Sequence, residues 1–153
     1  MDVNLQSKMG RTALSKACWN GQTDIVYRLL KIPNIDLQSA DNNKRTPLHN
    51  AVWGENGGRI GKKGISDKDS PFCAQALIEA GADIECEDKE GYTPLMIAAS
   101  TKGLESLKLL IVFGANVNHP NIYKATPIIE AARYGNVDSV KTLIEYGKSI
   151  KLD

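Results

Sequence analysis

The stretch of this sequence most suggestive of chemistry runs from Gly54 to Asp69, GENGGRIGKKGISDKD, where five glycines are interleaved with Arg59, Lys62, Lys63 and Lys68. Glycine-rich loops carrying lysine cradle phosphates when their backbone amides converge on the anion, so spacing decides. A nucleotide-phosphate loop needs Gly, four residues, Gly-Lys and then Ser or Thr. Here Gly61-Lys62 is followed by Lys63 and position 56 is Asn, so the pattern fails twice. The dinucleotide fingerprint fails too, because the glycines nearest to it run G-x-x-G-x-x-G with no buried strand ahead of them. What is left is a flexible basic loop. It either touches phosphate, RNA or an acidic protein through Arg59, Lys62 and Lys63, or is solvated and idle, and the idle reading is favoured.

The remaining reactive side chains form no catalytic set. No serine lies in a nucleophile elbow, and Cys18, Cys73 and Cys86 are expected to have no histidine at a supporting position. Glu85, Glu87 and Asp88 fall in a predicted finger-like loop without a cleft. His119 has no cysteine or carboxylate cluster at ligand spacing. A non-enzyme with no metal and no cofactor follows. Cys18 and Cys73 fall at core phases and are expected to be buried thiols. Three cysteines without close pairing suit a reducing intracellular compartment, cytoplasmic or nuclear. Nineteen basic residues face 18 acidic ones, so no overall field draws the chain to nucleic acid, the least favoured partner. No apolar run is long enough for a signal or a membrane insertion.

What must position these residues is a repeat. TALS at 12–15, TPLH at 46–49, TPLM at 93–96 and TPII at 126–129 recur with Thr-to-Thr steps of 34, 47 and 33 residues, the middle step carrying the Gly-rich insert. Leu14, Leu48, Leu95 and Ile128 keep phase with the Thr, as do Ala17, Ala51, Ala98 and Ala131. A second apolar group closes each unit, at Leu29-Leu30, Leu77-Ile78, Leu110-Ile111 and Leu143-Ile144. This spacing predicts two short helices and a reversal per unit. Thr caps the free amides of the first helix, and Pro follows at a position whose amide would be unpaired anyway. Gly21, Gly103 and Gly135 are expected to end the first helices with positive φ, and Asn34, Gly81, Gly114 and Gly147 the second. After the insert, the second helix of unit two restarts at Ser70-Pro71.

On these motifs the chain resembles the ankyrin-repeat family over essentially its whole length. The resemblance implies an all-α repeat solenoid of stacked helix-turn-helix units with short β-hairpin fingers, a concave partner-binding face, and no enzymatic activity. It divides a single domain, 1–153, into the tail of a preceding finger (1–9), repeat one (10–43), repeat two (44–90, insertion about 54–69), repeat three (91–123) and repeat four (124–153). Only His49 occupies the family's TPLH histidine, which implies a structural hydrogen bond to neighbouring backbone. Residues 2–7 read as the end of an earlier repeat and 147–153 as the start of another finger, so the favoured expectation is an excerpt, monomeric as this stretch, and the alternative is a complete small protein whose first strand serves as a cap.

In the family, partner-facing positions are the finger tips before each Thr and the residues seven and eight places after it. Counted here, they include Arg11, Trp19 and Asn20; Asn43, Arg45 and Trp53; Tyr92; Tyr123; and Arg133 with Tyr134. Both tryptophans share one phase in adjacent repeats, and Trp, Tyr and Arg dominate binding hot spots. The leading expectation is therefore a module that binds another protein or peptide along this row. A blander reading packs Trp53 under the insert with Trp19 as its neighbour. The alternative functions are a regulatory segment of a larger enzyme or channel acting in cis and, third, phosphate or nucleic-acid contact through the basic loop.

Overall fold

The computed structural model describes residues 1–55 and 71–150. Arg59, Lys62 and Lys63, and with them the expected anion contact, lie outside the described residues. Among those described are eight helices: α1 (Ala13–Trp19), α2 (Thr23–Leu30), α3 (Pro47–Glu55), α4 (Phe72–Glu79), α5 (Pro94–Ser100), α6 (Leu104–Val112), α7 (Pro127–Arg133) and α8 (Val137–Ile150). The odd-numbered helices stack consecutively in one row, with α2 against α4 and α6 against α8 behind them.

The helix starts follow from the Thr. In α1, the Ser15 amide donates to Thr12 Oγ1 at 3.2 Å while the Thr12 amide donates to Ser15 Oγ at 2.9 Å, a reciprocal capping box. In α5 the Met96 amide donates to Thr93 Oγ1 at 3.3 Å. Thr126 is extended but makes no side-chain cap bond. It is half-exposed where the other three threonines are buried, so water can satisfy those amides.

Gly21 and Gly135 reverse the chain at φ +63° and +70°, and Asn34 does the same at +62°. Two expected glycines do not. Gly103 has φ −85°, because α5 ends through Thr101, which is extended and whose hydroxyl donates to the Ile97 carbonyl at 2.9 Å. Gly147 lies inside α8, which continues to Ile150 where a finger was expected. Nor does Pro71 sit at the first helical position of α4; it is the residue before it. Gly54, assigned to the insert by sequence, belongs to α3 and is buried. A Cβ there would meet the Trp19 carbonyl oxygen at 2.2 Å, so its missing side chain is what lets α3 approach the end of α1.

The core is the phased set. Leu14, Leu48 and Leu95 are buried, together with Ala17, Ala51, Ala98 and Ala131 and with Leu77, Leu107 and Leu110 from the second helices. Each buried leucine contributes about 1.5–3 kcal/mol relative to exposure. The small alanines let consecutive helices close up. The last unit differs: Met96 is 0% exposed, yet Ile129 at the same phase is 51% exposed, and Val137 and Ile144 are also open.

No strand forms among the described residues, so the expected β-hairpins are reduced to tight turns. Each finger closes with two backbone bonds: the amides of Ser7, Asp41, Asp88 and Asn121 donate to the carbonyls of Arg11, Arg45, Tyr92 and Ala125, and the amides of Gly10, Lys44, Gly91 and Lys124 donate back to the carbonyls of Ser7, Asp41, Asp88 and Asn121. The same four residues organise the tips by side chain. Asp41 Oδ1 accepts from the Asn43 and Arg45 amides, Asp88 Oδ1 from Glu90 and Tyr92, and Asn121 Oδ1 from Tyr123 and Ala125, all at 2.9–3.0 Å, while Ser7 Oγ accepts from the Arg11 amide alone, at 3.3 Å. Adjacent fingers join through Asn42 N–H to Met9 O, Lys89 N–H to Asn43 O and Ile122 N–H to Glu90 O.

Candidate protein-binding surface

The fingers and the ends of the odd-numbered helices set the two arginine-tryptophan pairs in register. Arg11 lies 5.4 Å from the Trp19 ring centroid and Arg45 lies 4.3 Å from that of Trp53, while the two indoles stand 6.1 Å apart, tilted by 39°. Each arginine also faces the turn-forming aspartate of the next finger: Arg11 Nε is 3.7 Å from Asp41, and Arg45 Nε is 3.9 Å from Asp88. One arginine thus ties its own tryptophan to the next repeat's finger. Both tryptophans are half-buried, with Trp53 packed against the core. The row is therefore held in place by the scaffold's own contacts.

Of the other residues counted from sequence, Tyr92 and Tyr134 join Arg45 and Trp53 around a cleft of about 340 Å³, walled by Asp88, Glu90, Ser100 and Thr101 and floored by Ile97. The Tyr92 hydroxyl donates to buried Glu130 at 3.1 Å, and burial followed by this carboxylate pushes its pKa up to about 12. Arg133 lies 5.6 Å from the Tyr134 ring and 3.8 Å from Glu130. Asn20 and Asn43 serve the scaffold: Asn20 Nδ2 donates to the Lys16 carbonyl at 3.0 Å, and the Asn43 carbonyl accepts from Lys89. Tyr123 is exposed at the last finger tip, apart from the cleft.

Three sequence readings are corrected by stacking. Asp88 does line a cleft. Cys86 does have a histidine beside it, since its sulfur lies 3.6 Å from His49 Nδ1 and 3.2 Å from Thr46 Oγ1. Burial pushes that thiol to about 12, far from a nucleophile's range. His119 does meet carboxylates, with Nε2 hydrogen-bonded to Glu87 and Nδ1 3.8 Å from Glu85. The contacts of His119 join neighbouring repeats, and Cys86 meets His49 from 37 residues away, so local spacing hides both. Sequence reasoning also missed the tip organisers, although Ser7, Asp41, Asp88 and Asn121 all stand five places before a repeat Thr.

His49 is a fully buried link between repeats. Its Nδ1 accepts from the Thr46 amide at 3.1 Å, and Nε2 donates to the Tyr92 carbonyl at 2.8 Å, which sets a neutral tautomer. Desolvation lowers its pKa.

The family model for ankyrin repeats (three copies) matches residues 1–59 and 65–153. The chain belongs to the ankyrin-repeat family. It is 34% identical over 109 residues to the SMC5-SMC6 complex localization factor protein 1 of Bos taurus, covering 71% of this chain and 9% of that protein. It is 33% identical over 111 residues to the Transient receptor potential cation channel subfamily A member 1 of Drosophila melanogaster, covering 70% and 8%. It is also 33% identical over 114 residues to the Putative ankyrin repeat protein YahD of Escherichia coli (strain K12), covering 74% and 52%. The chain thus spans from about a tenth to about half of the length of these relatives. Ankyrin repeats are generally protein-interaction modules and typically non-catalytic. Among the described residues no helix is long and apolar enough to cross a membrane.

Proposed function

We propose that this chain is an intracellular protein-interaction module, without catalysis of its own, that binds a partner protein or peptide across the Arg11–Trp19 and Arg45–Trp53 stacks and the Tyr92–Tyr134 cleft beside them. The observation carrying this reading is the pair of stacks. Two indoles 6.1 Å apart, each covered by an arginine anchored to the next finger, form a rigid aromatic and cationic platform of the hot-spot type. The test compares wild type with Trp19→Ala/Trp53→Ala and with a control, Tyr27→Ala, at an exposed side chain of α2. Proteins cross-linked in the source cell and retained by wild type and control are expected to be lost from the double variant, provided its circular dichroism is unchanged. Full retention by a folded double variant removes the reading.

A second reading, docking in cis within a larger enzyme or channel, is favoured by the shares of 9% and 8% that the matched regions occupy in two relatives. A native species near 16.7 kDa in the source cell would contradict it.

A further inference from the structure

The cleft beside Trp53 is chemically one-sided. Its aromatic walls are Trp53, Tyr92 and Tyr134, and Ile97 closes the floor. Arg45, one of the lining residues, lies over the Trp53 ring beside Asp88, and the hydroxyl groups around the cleft have their protons directed elsewhere. Ser100 Oγ donates to the Ile97 carbonyl at 3.0 Å, and Thr101 Oγ1 donates to the same carbonyl at 2.9 Å, leaving both oxygens as acceptors. The Tyr92 hydroxyl is committed to Glu130. Asp88 is occupied by two amides and by Arg45, whose charge it offsets. Glu90 is different: half-buried on the cleft wall, its carboxylate makes no hydrogen bond or ion pair among the described residues.

Aromatic walls, two hydroxyl acceptors and a carboxylate that has no partner among the described residues together favour a cation rich in N–H donors. At about 340 Å³ the cleft lies near the lower end of ligand sites, which run from roughly 300 to 1,000 Å³, and so suits one side chain. We propose that it takes the cationic side chain, lysine ammonium or arginine guanidinium, of an extended segment of the partner, with Glu90 as its counter-ion and Trp53, Tyr92 and Tyr134 as its walls. This rests on the protein-binding reading above and names the partner's chemistry at that surface.

The probes are acetylated, amidated nonapeptides of Gly and Ser whose central residue is Lys, Arg, norleucine or Glu. They are titrated into the intact chain while the Trp53 indole and Thr101 amide resonances are followed. The Lys and Arg peptides should shift both resonances to saturation, whereas the norleucine and Glu peptides should leave them in place. Glu90→Gln should weaken the cationic peptides about fivefold or more without altering the rest of the spectrum. Norleucine acting as well as Lys, an unchanged affinity in Glu90→Gln, or no shift with any peptide each overturns the proposal. Where that happens while Trp19→Ala/Trp53→Ala still abolishes partner capture, the binding surface stands and only the cation site falls.

Discussion

At the scale of single residues, His49 shows how one side chain holds two repeats together. Its ring is buried and bonded at both nitrogens, so the folded chain keeps it neutral and its pKa lies below the ordinary 6.5. The unfolded chain binds that proton more readily, so the stability it contributes is present above about pH 6.5 and declines as pH falls through the folded value, by up to about 1.4 kcal/mol per pH unit. Urea unfolding should show a loss between pH 7.5 and 5.5 that is smaller in His49→Met, the residue type that Met96 places at the same phase. At pH 7.5 that variant should be about 2–4 kcal/mol less stable, because the Thr46 amide and the Tyr92 carbonyl lose a buried partner. Equal pH dependence in the two proteins would contradict the assignment. The sequence named His49 by its place in TPLH, but its partner Tyr92 lies 43 residues away and appears only once repeats stack. Separations of 37 and 32 residues likewise hid Cys86 from His49 and Glu87 from His119. The tip organisers were hidden differently, since Ser7, Asp41, Asp88 and Asn121 are three residue types with one shared ability, to accept amides within a turn.

At the scale of elements, helix starts were legible because Thr-Pro has a local mechanism, and helix ends less so. Gly103 and Gly147 carry the residue type of a reversal without its geometry, because Thr101 ends α5 by a side-chain bond and α8 continues through its glycine. Gly54 is the converse, read as part of a loop yet required in a helix. Replacing a helical glycine by alanine normally gains up to about 1 kcal/mol. Here the added carbon would meet the Trp19 carbonyl at 2.2 Å, and backbone cannot yield as a flexible side chain can. Overpacking of this kind costs about 1–3 kcal/mol, so Gly54→Ala should lower the unfolding midpoint despite its better helix propensity. A more stable Gly54→Ala would show that α3 can move away from α1.

At the scale of the whole molecule, stacking turns residues scattered by about one repeat into a continuous row. Phase alone brought Trp19 and Trp53 together on paper, and the structure adds what phase could not, the arginines lying over the rings and the aspartates behind them. The open apolar side chains of the last unit, Ile129, Val137 and Ile144, mark where this periodic burial stops among the described residues. Since the chain's two tryptophans both lie in the row, their indole N–H resonances report on it directly. The decisive measurement is a titration of the labelled chain with a captured partner, following these two resonances alongside an independent binding curve. The account predicts that both resonances move and saturate with the dissociation constant of the complex; full binding with both indoles undisturbed would place the partner elsewhere on the molecule and contradict it.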